Sequence, residues 1–164
     1  MIATGIGYDV HRLVMDRPLV LGGVTIEHPL GLEGHSDADV LCHAIADALL
    51  GAAGEPDIGH MFPNTDPSIR GMSSLEILRR VRARLKDLEV TVNNVDATVI
   101  AEEPRVSPHL AAMKEKVGAA LGLPTGRVGI KATTNESLGF LGRGEGIAAI
   151  ASACVERGPS CSSV

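Results

Sequence analysis

Gly34–Gly54, GHSDADVLCHAIADALLGAAG, joins a polar loop to a strongly patterned helix that carries a histidine, and the rest of the chain is read outward from it. Ser36 is the expected N-cap, with Asp39 three residues on completing a capping-box-like start. Asp37 and Asp39 put negative charge where the helix dipole favours it, and Gly54 is a natural terminator. Val40, Leu41, Ala44, Ile45, Ala48 and Leu49 recur at three- and four-residue intervals, leaving Asp39, His43 and Asp47 as a separate polar stripe. The helix buries one face and offers another.

His43 taken alone fits either a half-buried structural side chain or a metal ligand. At the N-terminus, GYDVHRL places Asp9 and His11 two residues apart in an apolar segment that reads as a strand, so both side chains point to one face of a sheet. One carboxylate and two imidazoles are three of the ligands zinc accepts, and stopping at three leaves a fourth position for substrate. Asp47, one turn past His43, is placed to orient its ring.

The chain has 164 residues, enough for one domain with a real core, and its hydrophobic fraction of 45% and charged fraction of 21% are those of an ordinary soluble protein. No apolar run approaches a membrane span and no signal peptide is visible, so no membrane is expected. A net charge of -5 without a basic patch gives no reason to expect nucleic acid. Cys42, Cys154 and Cys161 have neither disulfide arithmetic nor CxxC spacing, which fits a reducing cytoplasm. The only aromatics are Tyr8, Phe62 and Phe140. The core must therefore be built from Ala, Val, Ile and Leu, and tight packing of small side chains, between subunits as well as within one, has to replace large rings.

In order, Ile2–Val14 reads as a strand and Leu19–Ile26 as a hairpin around Gly22-Gly23. Gly54–Gly71 is too rich in Pro, Asp, Asn and Gly for regular structure, yet Ile58, Met61 and Phe62 argue that it is ordered; loops this long are usually functional. Ser73 and Glu76 form a capping box for a helix to Lys86, whose Arg79, Arg80, Arg82, Arg84 and Lys86 read as a solvated face. Glu89–Ala101 is a strand whose alternation changes phase at Asn93-Asn94, which predicts a bulge. Ser107 caps and Pro108 opens a third helix, closed by Gly122. Arg127–Thr133 and Gly146–Glu156 are further strands, the last apolar on both faces and so expected to be buried on both. Between them, Lys131–Gly146 gathers threonines, Glu136 and glycines at a strand end, where hydroxyls and N–H groups could hold phosphate oxygens and Glu136 a hard cation; a plain glycine-rich turn fits as well. A domain over 1–157 and a loose tail over 158–164 complete the reading.

GYDVHRL, GHSDADVLCHAIADALLGAAG, DIGHMFPNTDP and KATTNESLGFLGRGEGIA, in this order from Gly5 to about Glu156, resemble the 2-C-methyl-D-erythritol 2,4-cyclodiphosphate synthase family of the non-mevalonate isoprenoid route. The resemblance implies an α+β subunit, a mixed sheet covered by helices, assembled as a homotrimer with active sites between subunits. It implies a phosphorus-oxygen lyase that converts 4-diphosphocytidyl-2-C-methyl-D-erythritol 2-phosphate to the 2,4-cyclodiphosphate with release of CMP. Carried over residue by residue, zinc falls on Asp9, His11 and His43, and magnesium or manganese on Glu136. Transition-state stabilisation falls on His35 and Thr134, and the erythritol hydroxyls on Asp57. Ser36, Ile58, Gly59, Phe62, Pro63, Asn64, Thr65 and Asp66 match substrate-binding segments. Ala101, Pro104, Arg105, Val106, Ser107, Thr133 and Asn135 match the cytidine and phosphate pocket, and Phe140 and Arg143 further substrate positions. A central channel able to take an isoprenoid diphosphate is also implied, although Ile150 stands where the family often has a carboxylate. On the residues alone, a zinc phosphohydrolase and a non-catalytic trimeric binding module remain alternatives.

Overall fold

The structure, a computed structural model, describes residues 1–63 and 65–158. Asn64 and, apart from Gly158, the expected tail lie outside the described residues. Strand β1 (Ile2–Val14) is followed by the short strands β2 (Leu19–Leu21), β3 (Val24–Ile26) and β4 (Gly31–Leu32), and then by α1 (Val40–Ala53) and the single turn α2 (Ile58–Met61). Helix α3 (Ser74–Asp87), strand β5 (Val90–Ile100), helix α4 (Leu110–Leu121), strand β6 (Val128–Thr133), the short α5 (Gly139–Gly142) and strand β7 (Gly146–Arg157) complete the chain. Five strands form a mixed sheet in the order β4-β1-β7-β5-β6, parallel only between β5 and β6, while β2 and β3 pair apart as the expected hairpin.

Helix α1 lies across β1 and β7, with α3 and α4 beside it on the same face of the sheet. The reason lies in the odd-numbered positions of β1. A Cβ at Gly5 would collide with the Ala48 carbonyl oxygen, and one at Gly7 with the Ala44 carbonyl oxygen. Glycines facing the Ala44, Ala48 and Ala52 stripe therefore let backbone approach backbone, and Ala149, Ala151 and Ala153 of β7 continue the small-residue surface under the helix. Asp9 and His11 sit further along the same face of β1, which carries them under His43.

Several local expectations are corrected. The N-cap of α1 is Asp39, not Ser36: its carboxylate accepts from Cys42 N at 3.1 Å and from the Gly22 and Gly23 amides of the β2–β3 turn at 2.9 and 2.7 Å. Three N–H bonds keep this fully buried group satisfied, so it joins the hairpin to the helix instead of lining a polar stripe. Ser73 caps α3 by backbone geometry without a side-chain bond, and Glu76 pairs outward with Arg79 and Arg80, so the capping box is not made. The 54–71 segment contains α2 and a 3-10 turn at Pro67–Ile69, and a second such turn at Ser107–His109 precedes α4. The bulge stands where expected, between Val92 and Asn94.

Beyond Ala148, which is buried, the even-numbered face of strand β7 is left open at Ile150 and Ser152 by the described residues. Ile150 is 46% exposed beside Tyr8 at 52% and near Ile6 at 77%, so the open sheet face presents apolar side chains that no helix among the described residues covers. No helix among the described residues is long and apolar enough to cross a membrane.

The α1–β1 approach is testable. Gly7→Ala sets a methyl against the backbone of Ala44, which cannot move aside, so unfolding in urea should show a loss of about 2–3 kcal/mol. Gly126→Ala, where no atom lies within 4 Å of the new methyl, should be neutral or slightly stabilising. Equal effects at the two positions would remove the close approach as the determinant.

Candidate active site

Asp9 and His11 come from β1 and His43 from the first turn of α1, and one ligand atom from each lies within 4.8 Å of the other two. Asp9 Oδ2 stands 2.9 Å from His11 Nε2 and 3.1 Å from His43 Nδ1, and these two nitrogens are 3.4 Å apart. The outer side of each ring decides what faces inward. His11 Nδ1 is 2.6 Å from the Glu33 carbonyl oxygen, which can only accept, so this nitrogen carries the proton and Nε2 of the neutral ring offers a lone pair. His43 Nε2 lies 3.0 Å from Ser74 Oγ. The single hydroxyl proton of Ser74 is donated to the Asp37 carboxylate, so Ser74 accepts from His43 Nε2–H, and His43 Nδ1 also offers a lone pair.

Two lone pairs and a carboxylate oxygen thus converge, and the centre needs a cation between them. The donor set fits zinc: two imidazole nitrogens, one carboxylate and space beyond. Without a metal a proton serves. Burial alone would raise the Asp9 carboxyl and lower His11, but their mutual hydrogen bond and charge prevail, and His43 acts on Asp9 in the same way. Asp9 is held well below the usual carboxylate range and His11 is raised above its ordinary 6.5.

Asp47 does not orient His43 as expected. Its carboxylate accepts from the Ile58 amide at 2.8 Å and so fixes the start of α2. The partners of His43 Nε2 are Ser74, fully buried at the start of α3, and Ser36 Oγ at 3.2 Å, which also accepts from Ala38 N. Asp37 additionally accepts from Ser74 N at 2.9 Å, capping α3 from a distant loop. Nothing in local sequence points to Ser74, because its partners lie 31 and 37 residues away.

Around the triad, a cavity of about 240 Å³ is lined by Gly34, His35, Ser36, Ile58, Gly59, Phe62, Ile69 and Ile77 besides the three ligands. A neighbouring cavity of about 670 Å³ shares His35 and Ser36 and adds Arg17, Thr65, Asp66 and Arg70. The His35 loop is pinned on both sides: Arg17 donates to the Gly34 and Ser36 carbonyls at 2.8 Å each, and Gly71 N donates to His35 O at 2.9 Å. Asp57 caps α2 and binds His60 Nδ1 at 3.0 Å, which holds its exposed carboxyl below the ordinary value. Pro63 is exposed beside Phe62, and Asn64 lies outside the described residues.

The remaining expected residues gather elsewhere. Ala101, Pro104, Arg105, Val106, Ser107, Thr133 and Thr134 line a third cavity of about 280 Å³ at the ends of β5 and β6. Asn135 and Glu136 follow in an exposed turn, with Thr134 Oγ1 3.3 Å from Glu136 Oε1. Phe140 is exposed on α5, and Arg143 pairs with Glu145 at 2.7 Å while lining a separate cavity with His28, Glu102 and Glu103. The triad cavity and the β5–β6 cavity have no lining residue in common.

Two outcomes follow from the ligand geometry. Ser74→Ala should weaken zinc binding by roughly tenfold in chelator competition, whereas Asp47→Asn, which keeps the acceptor for Ile58, should leave it within about twofold; the reverse ranking would refute the Ser74–Asp37 relay. Because the folded value of His11 is raised above 6.5, its contribution to metal-free stability is complete below 6.5 and is lost as pH rises through the folded value. Zinc must displace that proton, so the gap in Tm between zinc-loaded and stripped protein should widen from pH 6 to pH 8. A constant or narrowing gap in calorimetry would contradict this.

Residues 2–156 match the YgbB family. A 2-C-methyl-D-erythritol 2,4-cyclodiphosphate synthase of Akkermansia muciniphila is 60% identical over 157 residues, 94% of this chain and 93% of that protein. The synthase of Synechococcus elongatus is 55% identical over 153 residues, 93% of this chain and 96% of that protein. Among solved structures, a CDP complex of IspF from Plasmodium falciparum is 30% identical and superposes with a TM-score of 0.83, covering 96% of this chain and 97% of that one. With the triad, its surrounding loops and the 131–148 segment all inside the matched span, the chain belongs to the YgbB family, the family of the 2-C-methyl-D-erythritol 2,4-cyclodiphosphate synthases that it resembles along almost its whole length.

Proposed function

We propose that residues 1–157 form a cyclodiphosphate synthase subunit that closes 4-diphosphocytidyl-2-C-methyl-D-erythritol 2-phosphate into 2-C-methyl-D-erythritol 2,4-cyclodiphosphate with release of CMP. The observation that carries this reading is the pair of inward lone pairs facing Asp9, in a chain 60% identical to a synthase of that name. An oxygen of the substrate's 2-phosphate attacks the β-phosphorus, the bond from the β-phosphorus to the bridging oxygen breaks, and that oxygen leaves on CMP. The nucleophile is already an anion, so no strong base is needed; orientation and charge neutralisation are. Zinc on Asp9, His11 and His43 would polarise the β-phosphate, and magnesium or manganese on Glu136 would neutralise charge shared by the α- and β-phosphates and the departing CMP.

The chain's own groups supply the rest. His35, exposed on its pinned loop between two cavities, reaches phosphate oxygens from the triad side, and Thr134 offers a hydroxyl from the nucleotide side. Ser36, Ile58, Gly59, Phe62, Pro63, Asn64, Thr65 and Asp66 enclose the erythritol end with Asp57 on its hydroxyls. The 101–107 rim with Thr133 and Asn135 takes the cytidine and its phosphates, and Phe140 and Arg143 bind further substrate groups.

The two cavities share no residue, and the sheet face carrying Ile6, Tyr8 and Ile150 is uncovered; both features support a homotrimer in which each reaction centre joins the triad side of one subunit to the nucleotide side of another. Its central channel would take an isoprenoid diphosphate. A cytoplasmic location agrees with the free thiols Cys42 and Cys154.

Incubation with the diphosphocytidyl substrate and magnesium should release CMP together with a cyclic diphosphate; inorganic phosphate as the product would refute the reading. Glu136→Gln should retain zinc and lose turnover equivalent to about 2–4 kcal/mol, as expected for one well-placed electrostatic stabiliser. Near-wild-type turnover at low magnesium would remove Glu136 from its role.

A further inference from the structure

At the ends of β5 and β6 two segments leave the sheet side by side, joined by Ala101 N donating to Thr133 O at 3.0 Å. One becomes the rim of the 280 Å³ cavity, and the other becomes the turn Thr134–Leu138. In that turn Glu136 and Ser137 stand consecutively in the left-handed region, at φ 52° and 60°. Side chains with a Cβ adopt this backbone only when their surroundings impose it. The turn is closed by Leu138 N donating to Asn135 O at 2.9 Å and by Asn135 Nδ2 donating to Leu138 O at 2.7 Å. From below it is met by Gly142, where a Cβ would collide with the backbone of Ser137.

From outside, the N–H groups of Asn135 and Ser137 converge on one oxygen, Glu102 Oε1, at 2.8 and 3.2 Å. Two alternate N–H groups aimed into one concavity make a nest for an oxygen acceptor, and Glu102 fills it, while the intervening Glu136 N–H turns to Thr134 Oγ1. Glu102 also lines the 280 Å³ cavity, so a single side chain belongs to both the nucleotide rim and the turn. Among the described residues, no other side chain outside the turn bonds to its amides.

We propose that Glu102 is a positioning residue that imposes the left-handed Glu136–Ser137 backbone and thereby ties the Thr134–Glu136 turn to the nucleotide cavity. This rests on the roles given above to Thr134 and Glu136. What the nest requires is an oxygen, not a charge, so glutamine serves and alanine does not. Without the acceptor, Glu136 and Ser137 relax toward right-handed or extended backbone, and the Glu136 carboxylate leaves its place.

The test is CMP release during a magnesium titration, with zinc content and Tm measured on the same preparations and Mn²⁺ binding followed by electron paramagnetic resonance in the presence of CDP. Glu102→Ala should raise the half-saturating magnesium concentration and weaken Mn²⁺ binding by roughly tenfold or more, with zinc content unchanged. Glu102→Gln should restore both to within about threefold of wild type. Ser137→Gly added to Glu102→Ala should recover much of the loss, because glycine takes the left-handed conformation unaided. An unchanged magnesium dependence in Glu102→Ala would overturn the proposal, as would Glu102→Gln being as impaired as Glu102→Ala. Wild-type protein that releases CMP without any divalent dependence would instead overturn the role of Glu136 on which it rests.

Discussion

The structure depends on a contact between two stretches of backbone. Gly5 and Gly7 on β1 meet the carbonyls of Ala48 and Ala44 on α1 with no side chain between them, and this closeness sets the spacing of everything attached to strand and helix. Helices usually rest on sheets through layers of large side chains. Here glycines on β1 face alanines on α1 at the crossing, and the aromatic residues stand elsewhere: Tyr8 and Phe140 are exposed, and Phe62 lies in the cavity wall. A side chain at position 7 would press on the backbone that spaces α1 from β1, the spacing on which the reach of His43 to Asp9 rests.

Hydrogen-bond direction does the second part of the work. A carbonyl behind His11 and a serine–carboxylate pair behind His43 each oblige the outward nitrogen to donate, so both rings present lone pairs inward. The centre is therefore a place of electron density held together by its surroundings, and it demands positive charge. A proton meets that demand cheaply, which is why Asp9 and His11 are driven apart in proton affinity, and a metal ion meets it with three bonds.

Much of this was legible in the sequence. The same-face placement of Asp9 and His11 follows from the two-residue period of a strand, and the apolar repeat of 40–49 follows from the helical period; these are local rules, and local rules survived. Local spacing places the N-cap of α1 at Ser36, three residues early, because it does not register the two glycine amides of a hairpin 16 and 17 residues away that help to hold Asp39 at the cap. The capping box at Ser73 is not made because the Glu76 carboxylate turns outward to Arg79 and Arg80 and the Glu76 amide bonds to the Ser73 carbonyl. Asp47 lies one turn along from His43, but the amide of Ile58 takes it. Asp39 and Asp47 each accept from backbone amides that their own helix does not supply, which no window along the chain can reveal. The apolarity of β7 is plain in its sequence, whereas burial on both faces does not follow from it: the face carrying Ile150 is open within the described residues.

Asp37 has a consequence for how the protein opens and closes. One of its oxygens takes the first amide of α3 and the other takes the hydroxyl that orients His43. Fraying of the first turn of α3 and loss of the correct histidine tautomer are then one event, and the helix and the Asp9–His11–His43 cluster belong to a single cooperative unit of hydrogen exchange. An ion whose ligands all come from β1 and α1 would protect the amides of a helix that contributes no ligand to it.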